Sequence, residues 1–122
     1  MTDLYIIGTG GGAKEIIQLI EQINQREDRF TIKGFIVLDA ANNRIKILGN
    51  DYELYEEDDF LKQFDHAAII ISNGFPGQRE SIYSKFKDYE FPNLVHPNID
   101  LHSSVIIGRG NTVFHRHVRK LF

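Results

Sequence analysis

Cysteine is absent from this chain, and its absence removes several chemistries at once. No disulfide framework, thiolate nucleophile or cysteine-ligated zinc can be built, and a cysteine-free composition fits a reducing compartment. An excess of positive charge is missing too. The formal net charge of −3 argues against a generic nucleic-acid binder, whose footprint is a basic face. No apolar run approaches the roughly 20 residues of a membrane-spanning helix. The opening residues Met1-Thr2-Asp3-Leu4-Tyr5-Ile6-Ile7 lack a basic segment and run straight into glycine, so they do not read as a secretory signal. The expectation is a cytoplasmic, bacterial-type protein with no nucleic-acid and no membrane partner.

What is present suits one compact domain rather than two full ones. The 122 residues are 42% hydrophobic and 25% charged, enough to bury a core without staples.

Residues 4–7 form a short run of β-formers that ends in Gly8-Thr9-Gly10-Gly11-Gly12, the pattern of a buried parallel strand. Ala13, Ile16, Ile17, Ile20 and Ile23 then recur at helical spacing, with Lys14, Glu15, Gln18, Glu21, Gln22 and Gln25 on the other face. That is an amphipathic helix lying on a sheet. Residues 31–38 read as a second strand, residues 39–43 as a polar connection, and residues 45–48 as a short edge strand. A short helix is predicted over 56–64, with Phe60, Leu61 and Phe64 on one side. Its acids Glu56, Glu57, Asp58 and Asp59 read as a solvated start that suits the positive end of the helix dipole. Residues 67–72 form a clear buried strand, followed by a turn, a helix over 78–87 with Ile82 and Phe86 one turn apart, and a last short strand over 91–95. The alternation predicts an α/β fold, a Rossmann-like parallel sheet with flanking helices and right-handed crossovers.

After His96 the helical period disappears. Leu101, Ile107 and Val113 stand six residues apart, the period of a hexapeptide β-helix. Three hexads make one triangular coil, and the next position is Arg119, where the pattern fails. The expected organisation is residues 1–97 as one domain and residues 98–122 as a β-helix stub.

The glycine-rich turn carries the clearest chemistry. Gly8-x-Gly10-x-x-Ala13 follows a strand and opens a helix, the context that gives the pattern meaning. Gly8 permits the tight turn, Gly10 lets the main chain approach a ligand, and Ala13 lets the helix pack closely on the strand. The first helical amides have no intrahelical partner and suit a phosphate, and Gly11 and Gly12 extend the bare surface beside Thr9. The alternative is a tight but empty turn. Four glycines in five residues exceed what such a turn needs, because each costs chain entropy.

In such a fold an acid at the end of the second strand meets a ribose. Here that residue is Asp39, which either accepts a ribose hydroxyl proton or begins the following turn. No basic residue stands beside it to suggest a 2′-phosphate. The strand over 67–72 should neighbour the first strand at the crevice, delivering Asn73, Gly74 and then Arg79. Arg79 has the planar fork that suits phosphate, or it is a solvated helix arginine. Asn73 is a ligand contact or a turn residue. The candidate ligand set is therefore Gly8, Thr9, Gly10, Gly11, Gly12, Asp39, Asn73, Gly74 and Arg79. The histidines His66, His96, His102, His115 and His117 read as structural. His115 and His117 would share a face in an extended segment, but two histidines make a poor metal site, and no metal is expected.

Taken together, the chain resembles the sialic acid O-acetyltransferase and PglD-like sugar acyltransferase family. The matching stretches are Ile6-Ile7-Gly8-Thr9-Gly10-Gly11-Gly12-Ala13-Lys14-Glu15, Lys33-Gly34-Phe35-Ile36, and Ala68-Ile69-Ile70-Ile71-Ser72-Asn73 with Arg79. Leu94-Val95-His96-Pro97 and Ile107-Gly108-Arg109-Gly110-Asn111-Thr112-Val113 follow. The resemblance implies an N-terminal domain that binds a nucleotide sugar, such as a UDP-sugar. It further implies a left-handed β-helix that forms a homotrimer and holds acetyl-CoA between coils, and a β-helix histidine acting as general base.

Two departures stand out. The family carries an acidic pair directly after the Gly-Phe-Ile stretch, where this chain has Val37-Leu38. The position matching the family's catalytic histidine lies beyond Phe122, so no catalytic residue is expected here and acetyl-CoA binding is expected only of a full-length relative. The resulting expectation is a UDP-sugar-binding domain of a sugar O- or N-acetyltransferase that does not transfer acetyl groups by itself. The alternatives are an NAD-type dinucleotide-binding domain and a non-catalytic oligomerisation or regulatory module that associates through residues 98–122.

Overall fold

The computed structural model describes residues 1–72, 76–99, 110–114 and 118–119. Along the chain come β1 (Thr2–Ile7), α1 (Gly11–Arg26), β2 (Phe30–Val37), β3 (Arg44–Ile47), β4 (Asn50–Glu56), α2 (Glu57–Gln63), β5 (Ala68–Ile71), α3 (Pro76–Phe86), β6 (Leu94–Val95), β7 (Thr112–Val113) and β8 (Val118–Arg119). Five strands form one sheet in the order β3-β4-β2-β1-β5. β1, β2, β4 and β5 run parallel, and β3 pairs antiparallel with β4.

The fold is thus α/β with helices on both faces, but its sheet is mixed rather than wholly parallel. The difference lies between β2 and α2. No helix links β2 to its parallel neighbour β4; the chain passes through β3 and reverses at Leu48 and Gly49, whose φ angles are 50° and 84°. Two positive φ values in a two-residue loop define a type I′ hairpin turn. β4 itself was not expected from the sequence. Its Asp51 and Glu53 are exposed while Tyr52 and Leu54 are half-buried, so it alternates at period two without an apolar run.

The same alternation builds the layers. Leu4 and Ile6 of β1, Phe35 of β2 and Ala68 and Ile70 of β5 meet Ala13, Ile16, Ile17, Leu19, Ile20 and Ile23 of α1. On the opposite face Ile7, Ile36, Ile69 and Ile71 meet Phe60 of α2, Ile82 and Phe86 of α3, and Tyr89 and Phe91 beyond it. Each fully buried aliphatic side chain contributes about 1.5–3 kcal/mol. Asn24 fixes the loop between α1 and β2: its Nδ2 donates to the Phe30 carbonyl at 2.8 Å, and its Oδ1 accepts the Arg29 and Phe30 N–H groups at 3.1 Å.

The strand expected over 91–95 does not join the main sheet. Glu90 makes a single parallel bridge with Ala68, Pro92 has no N–H to extend a ladder, and the chain then leaves. Leu94 and Val95 pair in parallel with Thr112 and Val113, and Thr112 and Val113 pair antiparallel with Arg119 and Val118. Leu94 packs into the core under α1. The hexad positions Leu101 and Ile107 lie outside the described residues.

Candidate functional site

β1 lies between β2 and β5, so the chain leaves β1 toward one side of the sheet and later returns on the other. Such a switch point opens a crevice at the carboxyl ends of the strands. At that end Gly8 takes φ 102°, a left-handed conformation reserved largely for glycine. Its N–H donates to the Ile36 carbonyl at 2.9 Å.

The next glycines obey a different rule. Gly10 caps α1 with φ −83° and ψ −157°, angles open to any residue. A Cβ built on Gly10 or Gly11 would meet nothing within 4 Å. Neither backbone strain nor packing calls for glycine at these two positions, which expose main chain at a helix start. No side chain caps α1, and its first turn holds no acid to compete with an incoming anion. The Ala13 N–H returns to the Gly10 carbonyl at 3.0 Å, while the Gly11 and Gly12 amides precede the first intrahelical bond.

A cleft of about 510 Å³ adjoins this turn. Ile7, Ile36 and Val37 supply strand-end surface, Gly8 and Thr9 the turn, and Leu38, Glu57, Ser81, Ile82 and Lys85 the remaining walls. Its lining is mostly apolar with a few polar groups, the make-up common to small-molecule sites.

The structure brings the predicted residues together in part. Gly8 and Thr9 line the cleft, and Gly10, Gly11 and Gly12 continue from it into α1. Arg79 stands on α3 and is 8% exposed, so it is not a solvated helix arginine, and it is not among the residues lining the cleft. Asp39 is exposed, lies two residues past the end of β2 and is not among the residues lining the cleft. Asn73 and Gly74 lie outside the described residues, as do His102, His115 and His117. His96 is buried, and its Nδ1 accepts the Asn98 N–H at 3.1 Å.

Sequence reasoning missed Glu57. Asp58 and Asp59 are exposed as expected of a solvated acidic run, but Glu57 is 6% exposed. Its Oε1 accepts from Lys85 Nζ at 2.9 Å. That hydrogen bond, with the attraction of the same carboxylate, raises the Lys85 pKa above its ordinary value. A signal was present: Glu57 and Phe60 stand three apart and share a helix face, and Phe60 is a core residue.

The architecture is shared with solved sugar acetyltransferases. One is PerB from Caulobacter crescentus, in complex with CoA and GDP-perosamine, at 22% identity over 93% of this chain and 51% of that chain, with a TM-score of 0.70. Two histidine-substituted variants of that perosamine N-acetyltransferase, in the same complex, match at 21% identity with TM-scores of 0.70 and 0.71. The chain spans about half the length of these solved chains, and at this identity the likeness is one of fold. No protein-family model matches the chain, and no curated protein matches it. No helix among the described residues is long and apolar enough to cross a membrane.

Proposed function

We propose that this chain carries the nucleotide-sugar-binding part of a sugar O- or N-acetyltransferase and grips the ligand's diphosphate at the start of α1. The observation that carries the reading is the pair Gly10 and Gly11, whose Cβ positions face open space and whose glycines the fold itself does not require. A bare helix start with unpaired amides is a ready anion site. The cleft beside it, at the switch point, has room for the rest of a nucleotide. The solved neighbours that share the fold hold GDP-perosamine, which supports a nucleotide sugar over a free dinucleotide. Gly8, Thr9, Gly12, Asn73, Gly74 and Arg79 complete the proposed phosphate side of the site.

The reading also takes residues 1–97 as the ligand domain and residues 98–122 as the start of a left-handed hexapeptide β-helix. Its support is the parallel return of Leu94 onto Thr112 and Val95 onto Val113, eighteen residues later, which is three hexads. The antiparallel pairing of Thr112 and Val113 with Arg119 and Val118 departs from a regular coil at the position where the hexad pattern fails. Acetyl-CoA would sit between neighbouring coils. The described residues show one return of the chain and no such pair of coils, so no step through acetyl-CoA follows from them.

Calorimetric titration of the chain with UDP-sugars and GDP-sugars tests the reading. Saturable heat with one class is expected, and NADH fluorescence is expected to stay flat. No heat at millimolar nucleotide sugar overturns it, and a fluorescence change with NADH replaces it with dinucleotide binding.

A further inference from the structure

We propose that Glu57 is the residue that reads the ribose of the bound nucleotide, with Lys85 as its positioning partner; this rests on the nucleotide-binding reading above. In sites of this architecture a carboxylate beside the phosphate turn accepts a ribose hydroxyl. This chain offers none at the end of β2 within the cleft, because Val37 and Leu38 stand there and Asp39 is exposed outside its lining.

β4 supplies the acid from one strand further out. It pairs in parallel with β2, with Glu56 opposite Val37, so the chain enters α2 at the same level as the end of β2. Glu57, the next residue, lines the cleft. Adjacent strands lie about 4.8 Å apart. A ligand whose phosphates sit at the turn after β1 and whose sugar passes over the end of β2 therefore reaches Glu57 with its ribose hydroxyls.

The chemistry of the pair fits a diol. A carboxylate withdrawn from water must be compensated by donors. Lys85 serves Oε1, and a carboxylate has two oxygens and about four acceptor positions. Two adjacent hydroxyls match that capacity. Lys85 anchors one oxygen of Glu57 at the cleft wall, while its own side chain remains 44% exposed. A clamp serving only to join α2 to α3 has no need to line the ligand cleft.

The test is calorimetry on the full chain with UDP, GDP and the 2′,3′-dideoxy form of each. The wild-type chain is expected to prefer the diol forms by about 10- to 100-fold, the range of a hydrogen bond to a charged group. Glu57→Gln should reduce that preference to within about twofold, and Asp39→Asn should leave it intact. The preference is a ratio within one protein, so a change in folding stability alone does not move it. Should Glu57→Gln fail to fold, Glu57→Asp keeps the charge and withdraws it by one methylene; a weakened preference is expected, and an unchanged one overturns the assignment. Equal binding of diol and dideoxy nucleotides by the wild-type chain, or a preference retained in Glu57→Gln, overturns the role of Glu57 and leaves nucleotide binding standing. Absence of binding to all four nucleotides overturns both.

Discussion

The hydroxyl and the backbone N–H of Ser72 both donate to the Ile7 carbonyl, at 2.6 and 2.9 Å. This pair of hydrogen bonds to one oxygen pins the end of β5 to the end of β1 at the switch point, one residue before Gly8. Ser72 is buried, so the hydroxyl has no easy exchange with water. Ser72→Ala should lower stability by about 1 kcal/mol in urea unfolding. It should also weaken nucleotide binding, because the turn beginning at Gly8 loses part of its anchor. Unchanged stability together with unchanged affinity would show that the N–H bond alone holds the strand end.

Two glycine substitutions should behave in opposite ways. A Cβ on Gly34 would sit 2.9 Å from the Glu53 carbonyl oxygen and 3.0 Å from the Tyr55 ring. The ladder pairs Gly34 with Glu53, so that oxygen cannot retreat without breaking the sheet. Gly34→Ala should cost about 1–3 kcal/mol, read as a lower urea midpoint. Gly10→Ala places its methyl in open space at ordinary φ and should change stability by no more than about 0.5 kcal/mol. It should nevertheless abolish measurable nucleotide-sugar binding. If Gly10→Ala binds as well as the wild type, the bare main chain at α1 is not the phosphate site.

Alkaline pH should unfold the chain through its tyrosines. Tyr5, Tyr55 and Tyr89 surround Phe60, with ring centroids 5.0, 5.6 and 5.8 Å from it. Burial raises the pKa of each phenol above its ordinary value of about 10. The folded state thus holds these protons more tightly than the unfolded state. Their contribution is fully present below the unfolded value and is lost as pH rises through the folded values. Thermal melts should be insensitive to these groups at neutral pH and fall steeply above about pH 10. Phe60 is fully buried, so Phe60→Ala should cost about 3–5 kcal/mol and bring the phenol absorbance titration back toward the free-tyrosine range.

Much of this was legible in the residues. The runs ending at Ile7 and Ile71 are buried on both faces of the sheet and the helix from Ala13 to Ile23 on one, and a continuous apolar run and a helical period report such burial directly. β4 was not legible because its buried side is only Tyr52 and Leu54, interleaved with Asp51 and Glu53, which belong equally to a polar loop. Glu57 was hidden for the reverse reason. Its neighbours Asp58 and Asp59 are solvated, and the acidic run masks the one signal that Glu57 turns inward, its three-residue spacing from Phe60. Leu94 and Val95 looked like a further member of the main sheet because two apolar residues carry no information about which strand they meet.

The hairpin between β3 and β4 contains a residue ill matched to its conformation. Leu48 holds φ 50°, where the Cβ of an L-residue approaches the following carbonyl oxygen at a penalty of roughly 1–2 kcal/mol. The following Gly49, at φ 84°, bears no such penalty. Leu48 is 47% exposed, so burial of its side chain offsets only part of the strain. Asparagine tolerates this region and is the preferred first residue of a type I′ loop. Leu48→Asn should therefore raise stability by about 0.5–1 kcal/mol, a fraction of that penalty, seen as a higher urea midpoint with an unchanged slope. Gly49→Ala should do the opposite. A destabilised Leu48→Asn would mean that the leucine side chain contributes more to packing than its exposure allows.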